Sequence, residues 1–265
     1  MAEPYYKILT HGGAGSDEAH KDGAETACQK VLEHLQQGTA VLDAACQGVV
    51  CLEDDGRFNA GVGSHKRANG AVQMDASCMD GSGAFGAVAA MEGFKNPVLA
   101  ARLLAGAPET LLAGTGAAAF AKEKELEPFP GSAEVEASDY KGTDTVGCVA
   151  FDGKQYAAAL STGGTGGSSA GRVGDVPLIG CGLYAGPYGA VAATGKGEAI
   201  ARNMTAFRAY QMMEEGMGPQ FVLEEVLDWF EEDEDIGLLL INRKSSAGGS
   251  NRSMAWAEFT IGEPE

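Results

Sequence analysis

Apolar residues recur at helical spacing in some stretches of the chain and fill short unbroken runs in others. Ala24, Ala27, Cys28, Val31, Leu32 and Leu35 fall on one helical face, and Gly38 follows as a stop. The same spacing predicts helices over 39–53, 97–105, 198–214 and 219–231, the last marked by Val222, Leu223, Val226, Leu227 and Phe230. Short apolar runs at 5–10, 84–90, 146–151, 156–161, 188–193 and 237–241 predict strands. Several of them, such as Val146-Gly147-Cys148-Val149-Ala150-Phe151, are apolar at almost every position. A strand that is apolar on both faces must be covered on both. Two central sheets flanked by helices satisfy that requirement. Glycines cluster at 12–15, 61–63, 81–86, 163–174 and 180–197, between the apolar segments, where they mark tight turns and close backbone approach.

One stretch lacks any sustained period. Residues 126–144 carry Pro128, Pro130 and several acids, and read as a linker. The linker stops at an apolar strand, with Thr145 at the junction.

Composition narrows the choice of partners. The chain has 265 residues, 37 of them acidic and 19 basic, for a net charge of −18. Such a surface repels phosphate backbones and anionic lipid, so neither nucleic acid nor membrane is an expected partner. No apolar run is long enough to span a bilayer, and Met1 to Tyr6 lacks a signal core, so a cytoplasmic location is expected. The six cysteines, at 28, 46, 51, 78, 148 and 181, form no Cys-x-x-Cys pair and read as buried free thiols.

Familiar hydrolase equipment is missing. The sequence holds neither a Gly-x-Ser-x-Gly elbow nor a His-Glu-x-x-His helix. Of His11, His20, His34 and His65, only His11 sits in a constrained loop, which disfavours a serine–histidine triad. Gly180-Cys181-Gly182 and Gly195-Lys196-Gly197 lack the rest of a dinucleotide fingerprint. An enzyme without a usable histidine needs another base, and a threonine at a chain terminus carries one in its own α-amine. Such amines titrate at roughly 7.7–8.0. Thr145 would gain that amine only if the Asp144–Thr145 bond were cut. Taken alone, Thr145 reads as an ordinary β-branched residue opening a strand.

It does not stand alone. His11-Gly12-Gly13-Ala14-Gly15, Asn59-Ala60-Gly61-Val62-Gly63 and Met74-Asp75-Ala76-Ser77-Cys78-Met79-Asp80-Gly81 precede it. Thr145-Val146-Gly147, Ser161-Thr162-Gly163-Gly164, Gly171-Arg172-Val173-Gly174-Asp175 and Thr194-Gly195-Lys196-Gly197-Glu198 follow in order. This set spans nearly the whole chain and resembles the plant-type asparaginase and isoaspartyl peptidase family, whose relatives are glycosylasparaginase and taspase. The resemblance implies an α+β fold, the four-layer αββα sandwich of N-terminal-nucleophile hydrolases. It implies a single domain over 1–265, cut into 1–144 and 145–265, assembling as a homodimer of αβ units.

The resemblance also assigns roles. Thr145 matches the nucleophile and Thr162 a second threonine that hydrogen-bonds near it. Arg172 would grip the substrate α-carboxylate, as guanidinium pairs with carboxylate in two parallel bonds, and Asp175 the α-ammonium. Thr194 and Gly195 would bind substrate and stabilise the oxyanion. Asn59 is either a satisfied core residue or a processing aid. A structural sodium would sit on backbone carbonyls of Leu52, Glu53, Asp55, Phe58, Ala60 and Val62, and no cofactor is needed for catalysis. The implied substrate is small: L-asparagine or a β-aspartyl dipeptide, with N-glycosyl-asparagine as the alternative. From another class, the alternative is a binding protein on the same fold that never cleaves. Three departures stand out. Asp144 occupies the place where the family usually has glycine, the linker is short, and Thr165-Gly166-Gly167-Ser168-Ser169-Ala170 replaces the usual asparagine–lysine pair.

Overall fold

The structure, a computed structural model, describes residues 5–129 and 145–263. Asp144 and most of the linker lie outside that range. In chain order the elements are β1 (Tyr6–Ala14), α1 (Lys21–Gln36), α2 (Val41–Asp54), β2 (Met74–Asp80), β3 (Phe85–Met91), α3 (Pro97–Leu104), β4 (Leu111–Ala113) and α4 (Gly114–Glu123). After the linker come β5 (Val146–Phe151), β6 (Tyr156–Thr162), β7 (Leu183–Gly186), β8 (Gly189–Gly195), α5 (Gly197–Asn203), α6 (Thr205–Glu214) and α7 (Pro219–Leu227). The chain ends with β9 (Ile236–Ile241), β10 (Ser246–Ser250) and β11 (Met254–Ile261).

The fold is mixed α and β, with two sheets. One runs β11-β1-β5-β6-β2-β3-β4 and the other β10-β9-β8-β7. Alternation along the doubly apolar strands divides their side chains between different cores. In β5, Val146, Cys148 and Ala150 join Val31, Leu35 and Val49 of α1 and α2. Val149 and Phe151 instead meet Leu183, Ala192 and Leu239 of the smaller sheet. In β8 and β9, Ala192 and Leu239 point to that shared core, while Val191, Leu238 and Leu240 pack with Ala206, Tyr210 and Val222 of α6 and α7. Residues of the two sheets thus share one core, and other residues of each sheet pack with helices.

Two boundaries differ from the periodic pattern. The 198–214 helix is broken at Met204, which adopts φ +48. Its period survives the break because both halves bury a face, Ala199 and Ile200 in α5, then Ala206, Ala209, Tyr210 and Met213 in α6. The last helix stops at Leu227, short of 231. Strands β2, β4, β7, β10 and β11 and helix α4 had no clear apolar signal. Ser246-Ala247-Gly248-Gly249-Ser250 is a strand because its backbone pairs with β9. None of the described helices is long and apolar enough to cross a membrane. All six cysteines are free, and all but Cys51 are buried.

Candidate active site

The three threonines arrive at one end of the two sheets. Val146 of β5 pairs with Ser161 of β6, and Thr162 pairs with Asp75 of β2. Continuing the β5–β6 register by one step puts Thr145 opposite Thr162. Thr194 comes from the other sheet, and its Oγ1 accepts the Ala14 backbone N–H at 3.1 Å, joining the end of β1 to the end of β8. All three threonines are buried. Gly195 follows with φ +135, and a Cβ there would stand 2.0 Å from the Asp235 carbonyl oxygen, so only glycine fits this turn.

His11 lies beside the same point. It pairs with Gly147, where a Cβ would stand 2.4 Å from His11 Nε2. Burial pushes the imidazole down to about 3, with the Thr145 backbone pulling the other way, so the ring is neutral at physiological pH.

A second group gathers charge. A Cβ on Gly197 would lie 2.9 Å from both Arg172 Nη2 and Asp175 Oδ1, so the missing side chain leaves room for these opposite charges to converge. Arg172 donates from Nε and Nη2 to both carboxylate oxygens of Glu198, at 2.8 and 2.7 Å. Burial pushes the Asp175 carboxyl up to about 7 against the pull of Arg172. Asp175 Oδ2 is buried without a hydrogen-bond partner among the described residues.

Residues that the sequence pattern did not mark as site residues complete the surroundings. Arg67 is buried, donates to Ser168 Oγ at 2.8 Å and the Gln73 carbonyl at 3.0 Å, and lies flat against Gly164. Gln73 Oε1 accepts the Gly171 N–H at 2.7 Å. Asp75 accepts the Ala90 N–H at 2.7 Å, and burial pushes its carboxyl up to about 6 while Arg67 and Arg172 restrain it. The Met74-Asp75-Ala76 motif was the signal that could have flagged Asp75. For Arg67 no local signal exists. Asn59 ties two segments together: its Nδ2 donates to the Gly164 carbonyl at 2.8 Å and its Oδ1 accepts the His65 N–H at 2.9 Å.

The 52–62 loop is a crowd of backbone carbonyls. A Cβ on Gly61 would stand 2.3 Å from Glu53 O, and one on Gly63 would stand 2.1 Å from Phe58 O and 2.8 Å from Gly56 O. Side chains in the loop are engaged elsewhere. Glu53 accepts from Asn96 Nδ2 and Val98 N, and Asp55 is held by Arg57. Among the described residues no cluster of His, Cys, Asp or Glu side chains is spaced to hold a metal. A cation here would have to be a hard one that accepts backbone oxygen.

Comparison with known proteins gives the family. The profile of the family described as Asparaginase matches residues 5–142 and 131–263. The chain belongs to this family of hydrolases, on the branch of the isoaspartyl peptidases and plant-type L-asparaginases. The isoaspartyl peptidase/L-asparaginase of Xenopus laevis is 34% identical over 280 residues, covering 94% of this chain and 91% of that protein. The one from Homo sapiens is 34% identical, with 97% and 94% covered. The plant-type L-asparaginase of Thermococcus kodakarensis is 32% identical, with 97% and 98% covered.

Proposed function

We propose that the chain cuts itself before Thr145 and then hydrolyses the side-chain amide of L-asparagine and of β-aspartyl dipeptides. The observation that carries this reading is the meeting of Thr145, Thr162 and Thr194 at one sheet end, with Arg172 and Asp175 converging over Gly197. In the proposed reaction Arg172 exchanges Glu198 for the substrate α-carboxylate, and the unsatisfied Asp175 takes the α-ammonium. Thr145 Oγ attacks the side-chain carbonyl while its α-amine accepts the hydroxyl proton. Thr194 Oγ–H and the Gly195 N–H would steady the developing oxyanion. The amine then returns that proton to the leaving nitrogen, which departs as ammonia or as an amino acid. Water, deprotonated by the same amine, hydrolyses the resulting ester and frees aspartate. Thr162 would hold the Thr145 hydroxyl in line.

The architecture supporting this is, in our reading, the four-layer αββα sandwich, with the cut ends of 1–144 and 145–265 remaining packed in one domain. The 52–62 carbonyls would hold sodium as a structural brace, away from the reacting atoms. Mass spectrometry of the purified protein tests the proposal: two fragments, beginning at Met1 and Thr145, are expected, and Thr145→Ala should stay one chain without hydrolytic activity. An intact wild-type chain would instead mean a binding protein on this fold.

A further inference from the structure

The end of the sheets away from Thr145 holds a cavity of its own. Three hairpins meet there: Phe151 to Tyr156 between β5 and β6, Gly186 to Gly189 between β7 and β8, and Ile241 to Ser246 between β9 and β10. The C-terminal end of α6 closes one side. The cavity measures about 390 Å³. Its floor is apolar and rigid: Phe151 and Tyr156 are buried and stacked, with ring centroids 4.4 Å apart and planes 22° apart. Tyr188 forms a wall and is 52% exposed.

The rim is cationic, which the rest of the chain is not. Lys154, Arg243 and Lys244 line the opening, against a single carboxylate, Glu214. None of the three takes part in any ion pair formed among the described residues. In a chain with 37 acids and 19 bases, most cations should find a carboxylate easily. Three that have none, around one cavity, mark a place where positive charge is kept available. A fourth, Lys7, is buried behind the β9–β10 hairpin, where its Nζ donates to the Asn242 carbonyl at 3.3 Å. The Tyr156 hydroxyl makes no hydrogen bond to another described residue, although the ring is buried. A hydroxyl on the cavity lining with a spare proton beside bare cations is a donor set for an anion.

We propose that this cavity binds a small organic anion bearing a flat ring, an aryl phosphate or an aryl carboxylate. The ring would lie along Tyr188 over the Phe151–Tyr156 stack. Its anionic group would take the Tyr156 hydroxyl and the charges of Arg243 and Lys244. Such ring contacts favour offset or edge-on packing, and the cations add a salt-sensitive attraction. This site is independent of the proposed catalytic end.

Titration calorimetry on the purified protein at low salt tests it, with phenyl phosphate, phenylacetate and inorganic phosphate as probes. At least one of the two aryl anions should bind with Kd below about 1 mM, and inorganic phosphate at least about tenfold more weakly for want of the ring. Whichever aryl anion binds names the head group. The double variant Arg243→Glu/Lys244→Glu should weaken that binding at least about tenfold, and Tyr188→Ala by about three- to tenfold. These are exposed positions, and circular dichroism will show that the variants are folded. Binding should persist unchanged in Arg172→Ala, which separates this site from the substrate end. The proposal is overturned if neither aryl anion binds, if inorganic phosphate binds equally well, if charge reversal leaves affinity unchanged, or if Arg172→Ala abolishes it.

Discussion

Asp175 sets the expected pH response of substrate capture. Its carboxyl is pushed up to about 7 by burial, so below that pH it is neutral and loses its pull on an ammonium. We expect kcat/KM to fall as pH drops through about 7. The limb in kcat should lie lower, because a bound ammonium favours the carboxylate. A pH–rate profile flat from 6 to 8 would remove Asp175 from this role. His11, held near 3, contributes no limb in that range. Arg172 is the other anchor. Truncating one partner of a desolvated charge pair costs about 2–5 kcal/mol, so Arg172→Ala should lower kcat/KM roughly 30- to 5,000-fold. Chain cleavage should survive, since Arg172 serves the substrate, and gel analysis beside the kinetics checks both points. The identities of these residues were visible in the glycine-flanked motifs. Their charge states were not, because burial is set by the fold: Asp175 Oδ2 lies 2.8 Å, and Leu160 Cδ1 3.0 Å, from where a Cβ on Gly182 would stand.

Loops, more than regular elements, decide how the site is held. The segment from Gly164 to Gly171 connects Thr162 to Arg172, and it is fastened by residues far upstream. Arg67 donates to Ser168, Gln73 accepts from Gly171, the Ala68 N–H donates to Ser168 O, and the Gly167 N–H donates to Lys66 O. After cleavage these contacts would join two separate chains. At the 165–170 departure Ser168 Oγ accepts from the Arg67 guanidinium, and Gly164 just before it leaves the space that guanidinium fills. Removing a charged donor's bonds costs about 1.5–3 kcal/mol. Arg67→Ala should therefore raise KM roughly tenfold or more with a smaller effect on kcat, and Arg67→Lys should recover part of the loss. A loss confined to kcat, with KM unchanged, would argue for a smaller folded fraction instead. This contact lay beyond sequence reasoning because its partners are 101 positions apart. Helices α1, α2, α3 and α7 were legible from their spacing, as were strands β1, β3, β5, β6, β8 and β9. The break at Met204 was not, because periodicity reports which face is buried and is blind to a single left-handed residue.

Over the whole molecule, two effects act together on stability. Glu53, Asp75 and Asp175 are pushed up by burial, to about 8, 6 and 7, so the folded state binds protons that the unfolded chain has already released. Their contribution is full below the ordinary carboxylate range and is lost as pH rises through those values. The net charge of −18 adds self-repulsion at the same end of the scale. We expect Tm to fall between about pH 5.5 and 8.5 at low ionic strength. Salt should restore the part due to surface repulsion, where the Debye length shrinks to about 3 Å at 1 M, and leave the buried part. A Tm that rises across this range at both ionic strengths would contradict the burial of these acids.

Sequence alone determined the doubly apolar strands, the amphipathic helices, the family and the order of its motifs, since each of these is written in local spacing and residue type. Only the tertiary structure decided that Thr145, Thr162 and Thr194 share one sheet end, that Glu198 occupies the Arg172 fork, that Arg67 fastens the 164–171 loop, and that bare cations ring a cavity at the other end. Those facts depend on which strand lies beside which and on what each fold contact shields from water. Neither can be read from neighbours along the chain.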